Sequence, residues 1–419
     1  MLVGAVALIV AACSSGSGDE PASGSDSPAS STESTTTVAD TAADGPTPPH
    51  PEAGRLVVLD DDGRVAAMDP DGADAVVLAE ASETPFQPIW SPDASRVAYA
   101  TRSARPELVV TDADGQNARR AALLNPAFYL AWSPDGDRIA ALRNGSDAVA
   151  LDVVDLAPPD LEAVELDEGA PYWLSWDPRG DRLAAHVGTD RLDVVGVDGE
   201  VSPLGVGPGA FRVPEWTDAG LVAVGAEAGQ QALIRIAPDG QVEVLAAVEG
   251  SIGFSVSPDG TKVALQSFEP DDEGTGEVIE ASLPAQEPLP TNNLLVLDLA
   301  TGDVTVVSLR AALAFFWSPA GDRLLVLGDG DGDGAVRWQV WDGENLIDGP
   351  TFQLGESFAR EFLTFFDQYQ RSMSLWAPDG SGYAFPGRID GEDGIWVADP
   401  TSDRATKVAA GSWVAWSPI

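Results

Sequence analysis

From residue 85 onward the chain alternates short apolar runs with polar turns, and one arrangement keeps returning. In its clearest copy Phe128–Trp132 is an apolar run, and Pro134-Asp-Gly136 is a turn whose glycine supplies positive φ. Arg138–Leu142 and Ala148–Val153 follow as two more runs. Leu161–Leu166 then alternates apolar and polar positions, the period of a half-exposed strand. A tryptophan leads most of the turns: Trp90-Ser-Pro-Asp, Trp132-Ser-Pro-Asp, Trp176-Asp-Pro-Arg, Trp216-Thr-Asp-Ala, Trp317-Ser-Pro-Ala, Trp376-Ala-Pro-Asp and Trp416-Ser-Pro. Val256-Ser-Pro-Asp stands in the fifth place. Spacings are 40–44 residues, apart from 61 and 59 on either side of Trp317. Four short strands in a period of about forty residues predict the blades of a β-propeller.

The two ends of the repeat region complete each other. Residues 55–80 supply three strands without a tryptophan-led first strand, and residues 411–416 supply only that strand. Joined, they predict a composite closing blade that removes an open sheet edge. The expectation is an all-β, eight-bladed propeller over 53–419, with seven blades the alternative if one weak unit is absorbed as loop. The tryptophans are expected between neighbouring blades, each burying roughly 150–250 Å²; the other reading makes them an aromatic ligand set. Val256, lacking the ring, predicts a blade that packs less firmly.

The turn is followed by a basic residue and an apolar strand: Arg138-Ile-Ala-Ala, Arg182-Leu-Ala-Ala, Lys262-Val-Ala-Leu, Arg323-Leu-Leu-Val. This Trp-Ser-Pro-Asp-Gly pattern resembles the propeller repeats of the Tol–Pal periplasmic protein TolB, and the noncatalytic propeller of prolyl oligopeptidases and dipeptidyl peptidases. The resemblance spans about 53–419. It implies a propeller fold and, by way of TolB, a surface that docks partner proteins. In TolB a small α/β domain precedes the propeller; in the peptidases an α/β-hydrolase domain carries a Ser-Asp-His triad. Here residues 14–52 are low in complexity and the repeats take up the remaining length, so neither domain is expected.

Residues 1–12 are apolar and stop at Cys13, the only cysteine. As a helix they rise about 18 Å, short of a hydrocarbon core of roughly 30 Å, and so suit a signal peptide rather than a span. Val10-Ala-Ala-Cys13 resembles the bacterial lipobox, which marks Cys13 as the lipidated residue. The Ser-, Thr-, Pro- and acid-rich stretch 13–52 cannot repay its ordering entropy and is read as a tether, with His50 a solvated part of it. The expected location is the cell membrane, on the extracytoplasmic side.

Sixty-seven acidic residues against 23 basic ones give a net charge of −44. Nucleic acid and anionic lipid are therefore poor partners. The acid is spread over nearly every turn, which fits a solubility device; a docking face for a cationic partner or Ca²⁺ is the other reading.

Candidate chemistry is sparse. His186 is the one histidine of the repeat region, and its place in a strand reads as structural. No Gly-x-Ser-x-Gly elbow, phosphate loop or His-rich arrangement occurs, so no catalytic residue is assigned. Asp329, Asp331 and Asp333 alternate with glycines like the start of a calcium loop, yet the twelfth position is Val340 where an EF-hand has its bidentate acid. They read as a hairpin loop or a weak Ca²⁺ site; no other cofactor is expected.

Two insertions account for the long spacings. Glu269–Asn293 is polar and Pro-rich. Phe358–Tyr369 holds four phenylalanines and a tyrosine. Within it Phe362, Phe365, Phe366, Asp367, Gln368 and Tyr369 either plug the channel or pack a widened blade, or else form a binding surface at one channel end, since aromatic anchors dominate interface hot spots. The function read from all this is a noncatalytic, lipid-tethered propeller, a monomeric ring that binds an envelope protein or peptide. The alternative is a hydrolase or small-ligand sensor at the channel, which clustered buried carboxylates around one opening would favour.

Overall fold

The computed structural model describes residues 54–419 apart from 228–229, 249, 269–290, 331 and 333. Cys13, the signal and tether segments, His50, most of the Glu269–Asn293 insertion, Asp331 and Asp333 lie outside the described residues. The described chain forms eight antiparallel sheets in a ring, as the repeat count predicts. Blade one is Pro85–Trp90, Arg96–Thr101, Glu107–Asp112 and Arg119–Ala122; blade two is Ala127–Trp132, Arg138–Asn144, Val149–Asp155 and Ala163–Gly169. Blades three, five and six repeat this plan, opening on the innermost strands Tyr172–Trp176, Ser251–Val256 and Ala314–Trp317.

Blade eight is composite. Trp413–Trp416 pairs with Leu56–Leu59 in antiparallel register, Leu56 opposite Trp416 and Leu59 opposite Trp413. Ser417 extends the seam: its amide donates to the Arg55 carbonyl at 2.8 Å, and its hydroxyl accepts from the Arg55 amide at 2.8 Å. Strands run alternately up and down in every blade. The tryptophan-led turns therefore emerge on one face, called the turn face, and the blade-to-blade connections on the other, the connection face.

An innermost strand is paired on one side only, so its channel-side amides and carbonyls need partners from elsewhere. The tryptophan of the next blade makes a different tie, across the seam to a carbonyl that faces the second strand of its own sheet. The Trp176 indole N–H donates to the Ala131 carbonyl at 3.1 Å, that of Trp317 to Ser255 at 3.0 Å, and that of Trp376 to Phe316 at 3.1 Å. Each acceptor immediately precedes the equivalent position of the preceding blade. The basic residue six places after the tryptophan adds a second rung. Arg96 and Arg138 donate to the turn-glycine carbonyls Gly136 and Gly180 of the next blade, at 2.8 and 3.1 Å. Arg96 also lies over the Trp132 ring, and Arg323 over that of Trp376.

Two blades depart from the plan. In blade four the innermost strand shrinks to Glu215–Thr217, and Trp216 is only half-buried, its indole N–H without an acceptor. A cavity of about 410 Å³ opens beside it, lined by Arg182, Leu204, Trp216 and Pro238. Val256 is buried among Val222, Phe254 and Val263, and it too borders a cavity, of about 310 Å³. In blade seven the stretch before Trp376 is irregular. Ser374 bridges to Trp416 and Trp376 to Tyr383, so this segment links blades seven and eight instead of forming a regular strand.

Replacing buried, bonded Trp176 with Ala is expected to cost about 3–5 kcal/mol. The same change at Trp216 should cost less than about half of that, because the ring is half-buried and unbonded. Denaturant unfolding of the two variants measures the difference. Deleting residues 411–419 should lower the melting temperature of the whole ring, not of one blade alone.

Candidate functional site

The aromatic insertion fills the channel. After blade six ends at Phe352, the chain makes a π-helical turn Phe358–Phe362, a 3₁₀ turn Leu363–Phe365 and an α turn Phe366–Tyr369, then runs on into blade seven. As a blade-to-blade connection it enters from the connection face. Phe362, fully buried, stacks on Phe358 with ring centroids 5.0 Å apart and on Phe316 at 5.8 Å, and meets Trp413 edge-on. Phe366 packs against Phe315 and Phe316. Tyr369 lies against Tyr129 and Trp413.

Polar contacts tie the same segment to the inward edges of the blades. Gln368 is completely buried and behaves as a short piece of strand: its Oε1 accepts from the Leu174 amide at 2.8 Å and its Nε2 donates to the Leu174 carbonyl at 2.9 Å. The Tyr369 hydroxyl donates to the Phe128 carbonyl at 2.6 Å, and the Tyr129 hydroxyl donates to the Gln368 carbonyl at 3.1 Å. Glu361 pairs with Arg102 of blade one at 3.6 Å. Arg371 reaches Glu215 of blade four and the Ser255 hydroxyl of blade five.

Burial therefore separates the six residues that the sequence reads either as a plug or as a binding surface. Phe362, Asp367, Gln368 and Tyr369 are buried and Phe366 is half-buried. Only Phe365 is exposed, at 40%, leaning edge-on against half-buried Trp173, which stacks in turn on Phe211. An apolar segment threaded through a ring spends its aromatic surface on the ring's interior. Asp329 is exposed and ends a strand of blade six opposite Val336, at the hairpin position. Among the described residues no group of three or more His, Cys, Asp or Glu gathers at a metal-binding distance.

Around the plug lies a buried ionic centre that sequence reading missed. Glu215 is fully buried; its Oε2 accepts from the Val256 amide at 2.6 Å and pairs with Arg371, while Oε1 has no protein partner. Burial pushes its pKa up to about 7, against the opposing pull of Arg371. Asp367 is also raised by burial, with Arg212 opposing, and one of its oxygens is unpartnered. His186 is buried beside Phe211, its Nδ1 3.1 Å from the Arg212 carbonyl, and burial lowers its pKa. A signal for Glu215 was present in the repeats. The residue before the leading position is Ile89, Ala131, Ser175, Ser255, Phe316, Leu375 or Ala415 elsewhere, and it is charged only at Glu215.

These groups set a pH dependence. A carboxyl raised in the fold binds its proton more tightly folded than unfolded, so its contribution is present below the ordinary carboxylate range and is lost as pH rises through about 7. Asp93 has the opposite sense: the Ser91 hydroxyl holds it down to about 2, so its contribution is lost as pH falls below the ordinary range toward 2. The Glu215 contribution should therefore grow as pH falls from 8 toward 5. It is opposed below the ordinary histidine range by His186, whose lowered pKa makes its protonation disfavour the fold. Stability should decline again below about 4. Glu215→Gln should flatten the limb above pH 5 and leave the acid limb alone, as followed by urea unfolding across pH. A limb unchanged by the substitution would contradict the assignment.

No protein-family model and no curated protein matches the sequence. Among solved structures the chain is similar to a eukaryotic initiation factor, at a TM-score of 0.50 and 12% identity over 87% of this chain and 98% of that one. It is also similar to the β-propeller domain of the trilobed protease from Pyrococcus furiosus, with TM-score 0.49, 15% identity and coverage of 78% and 97%. TolB from Acinetobacter baumannii matches with TM-score 0.39 and 16% identity over 71% of this chain, which spans 63% of that protein. At these identities the likeness speaks for fold alone: the chain is an eight-bladed β-propeller with TolB proteins among its structural neighbours.

Proposed function

We propose that the chain is a noncatalytic scaffold that binds a protein or peptide at the extracytoplasmic side of the cell envelope, tethered through lipid on Cys13. The observation that carries this reading is the plug. A ring closed by its own segment becomes a rigid disc, and its working surfaces are then its faces. On the connection face the one exposed aromatic of the plug, Phe365, rests on Trp173 and Phe211, an arrangement that presents apolar surface at low entropic cost.

A second reading, a small-ligand sensor or hydrolase at the channel, draws on the buried carboxylates Glu215 and Asp367 beside Arg212 and Arg371. A carboxyl poised near neutral pH suits proton transfer as well as structure. Hydrolysis of peptide, ester and glycoside panels, compared between the native chain and Glu215→Gln, separates the two: activity lost on substitution supports the enzyme, and no turnover in either supports the scaffold.

A photo-crosslinking residue placed at 365 in the native envelope is expected to capture a discrete partner, and the same group at Val306, on the outer strand of blade five, to capture none. Equal capture from both positions would refute the connection-face assignment. Cys13→Ala should release the protein from membranes; unchanged membrane association would refute the tether.

A further inference from the structure

We infer that the turn-face mouth of the channel is a binding site for a carboxylate carried on an apolar body, with Arg371 and Gln370 as its anion-receiving groups. The plug stops short of this end and leaves a cavity of about 310 Å³ between blades five, six, seven and eight. Its walls are apolar: Phe316, Trp317, Met373, Leu375 and Trp376, with one proline from each of the four turns at the rim, Pro258, Pro319, Pro378 and Pro418.

The charge of this lining is the telling feature. The chain has 67 acidic residues, and among the described residues none of them lines the cavity, whose one charged group is Arg371. The turn aspartates beside the rim prolines are drawn back into their own turns. Asp259 accepts from the Ser257 hydroxyl at 2.6 Å, and Asp379 from the Ser381 amide at 2.9 Å. The mouth is thus a donor-lined pocket in a polyanion.

The donors also have capacity to spare. Arg371 is held through Nη2 by Glu215 and the Ser255 hydroxyl. The Nε and Nη1 N–H groups point apart, so each would donate singly to an anion. Gln370 lies next to it, its Oε1 accepting from the Ser255 hydroxyl at 3.3 Å while its Nε2 is buried with no acceptor in the protein. A buried amide donor without a partner is costly unless a ligand or water supplies the acceptor. The flat walls fit an aromatic or aliphatic body behind the head group. The overall negative charge does not forbid this, because at physiological salt the screening length is about 8 Å and nearby groups dominate.

Two sources carry this chemistry, a free hydrophobic acid and the C-terminal carboxylate of a peptide ending in an apolar residue. The assignment deepens the binding reading by naming a ligand class and a face, and it is tested on the purified chain without any partner. Its failure would leave the connection-face scaffold standing.

Titration calorimetry of the full-length chain would use N-acetyl-phenylalanine, its carboxamide, and a hexapeptide ending in phenylalanine as free acid or as amide. At least one acid is expected to bind, with its amide weaker by about tenfold or more, since a charge-assisted pair is lost. Binding of the free amino-acid derivative alone points to a small acid; binding of the peptide acid, alone or more tightly, points to a chain terminus. Gln370→Leu and Arg371→Gln should each weaken the acid by about tenfold or more and leave the amide unchanged. If Arg371→Gln unfolds for want of a partner to Glu215, Gln370→Leu alone decides, with its melting temperature as the check on fold. No heat with either acid, equal affinity for acid and amide, or full affinity in folded Gln370→Leu overturns the inference.

Discussion

The constraint on which the architecture depends is the unpaired inward edge of the innermost strands. The innermost strands face a channel filled by the inserted segment, and every buried amide or carbonyl there must find a partner. The inserted segment meets part of this need, with Gln368 taking both groups of Leu174 and Tyr369 taking the carbonyl of Phe128. The repeat adds a separate tie between blades, the indole of the following blade donating to the carbonyls of Ala131, Ser255 and Phe316. Glu215, on a wall strand, takes the Val256 amide and is itself held by the plug through Arg371.

At blade five the Glu215 carboxylate takes the inward Val256 amide, and Arg371 reaches the Ser255 hydroxyl. Blade four has the shortest innermost strand and a half-buried Trp216, and it is the blade that provides Glu215. Irregular repeats and the irregular insertion thus meet at one sector of the ring. Burying ion pairs is not in itself stabilising, and the price is visible in an oxygen of Glu215 and one of Asp367 left without protein partners.

How much of this was legible in the sequence follows from what repeats. The blades, their number and the clasp between Leu56–Leu59 and Trp413–Trp416 were readable because periodic positions reinforce one another. The partner of Arg96, Arg138 and Lys262 was not readable, since the turn glycine of the next blade lies about forty residues or more away and only closure of the ring brings it near. The plug residues occur once. Composition marks Phe358–Tyr369 as unusual, yet nothing local says that Gln368 faces Leu174, 194 residues earlier, while Phe365 alone of the segment's aromatics is exposed. Only Glu215 carried a readable mark, as a charge at a repeat position that is otherwise small or apolar.

The account's central claim is that the plug completes the backbone pairing of the innermost strands. Amide hydrogen exchange at Leu174 tests it most directly, in the native chain and in Gln368→Leu. The account predicts protection at Leu174 in the native chain equal to that of the paired strand Arg182–Val187, and a loss of about tenfold or more in the variant with Val256 unaffected. Rapid exchange at Leu174 in the native chain, or protection unchanged by the substitution, would contradict it.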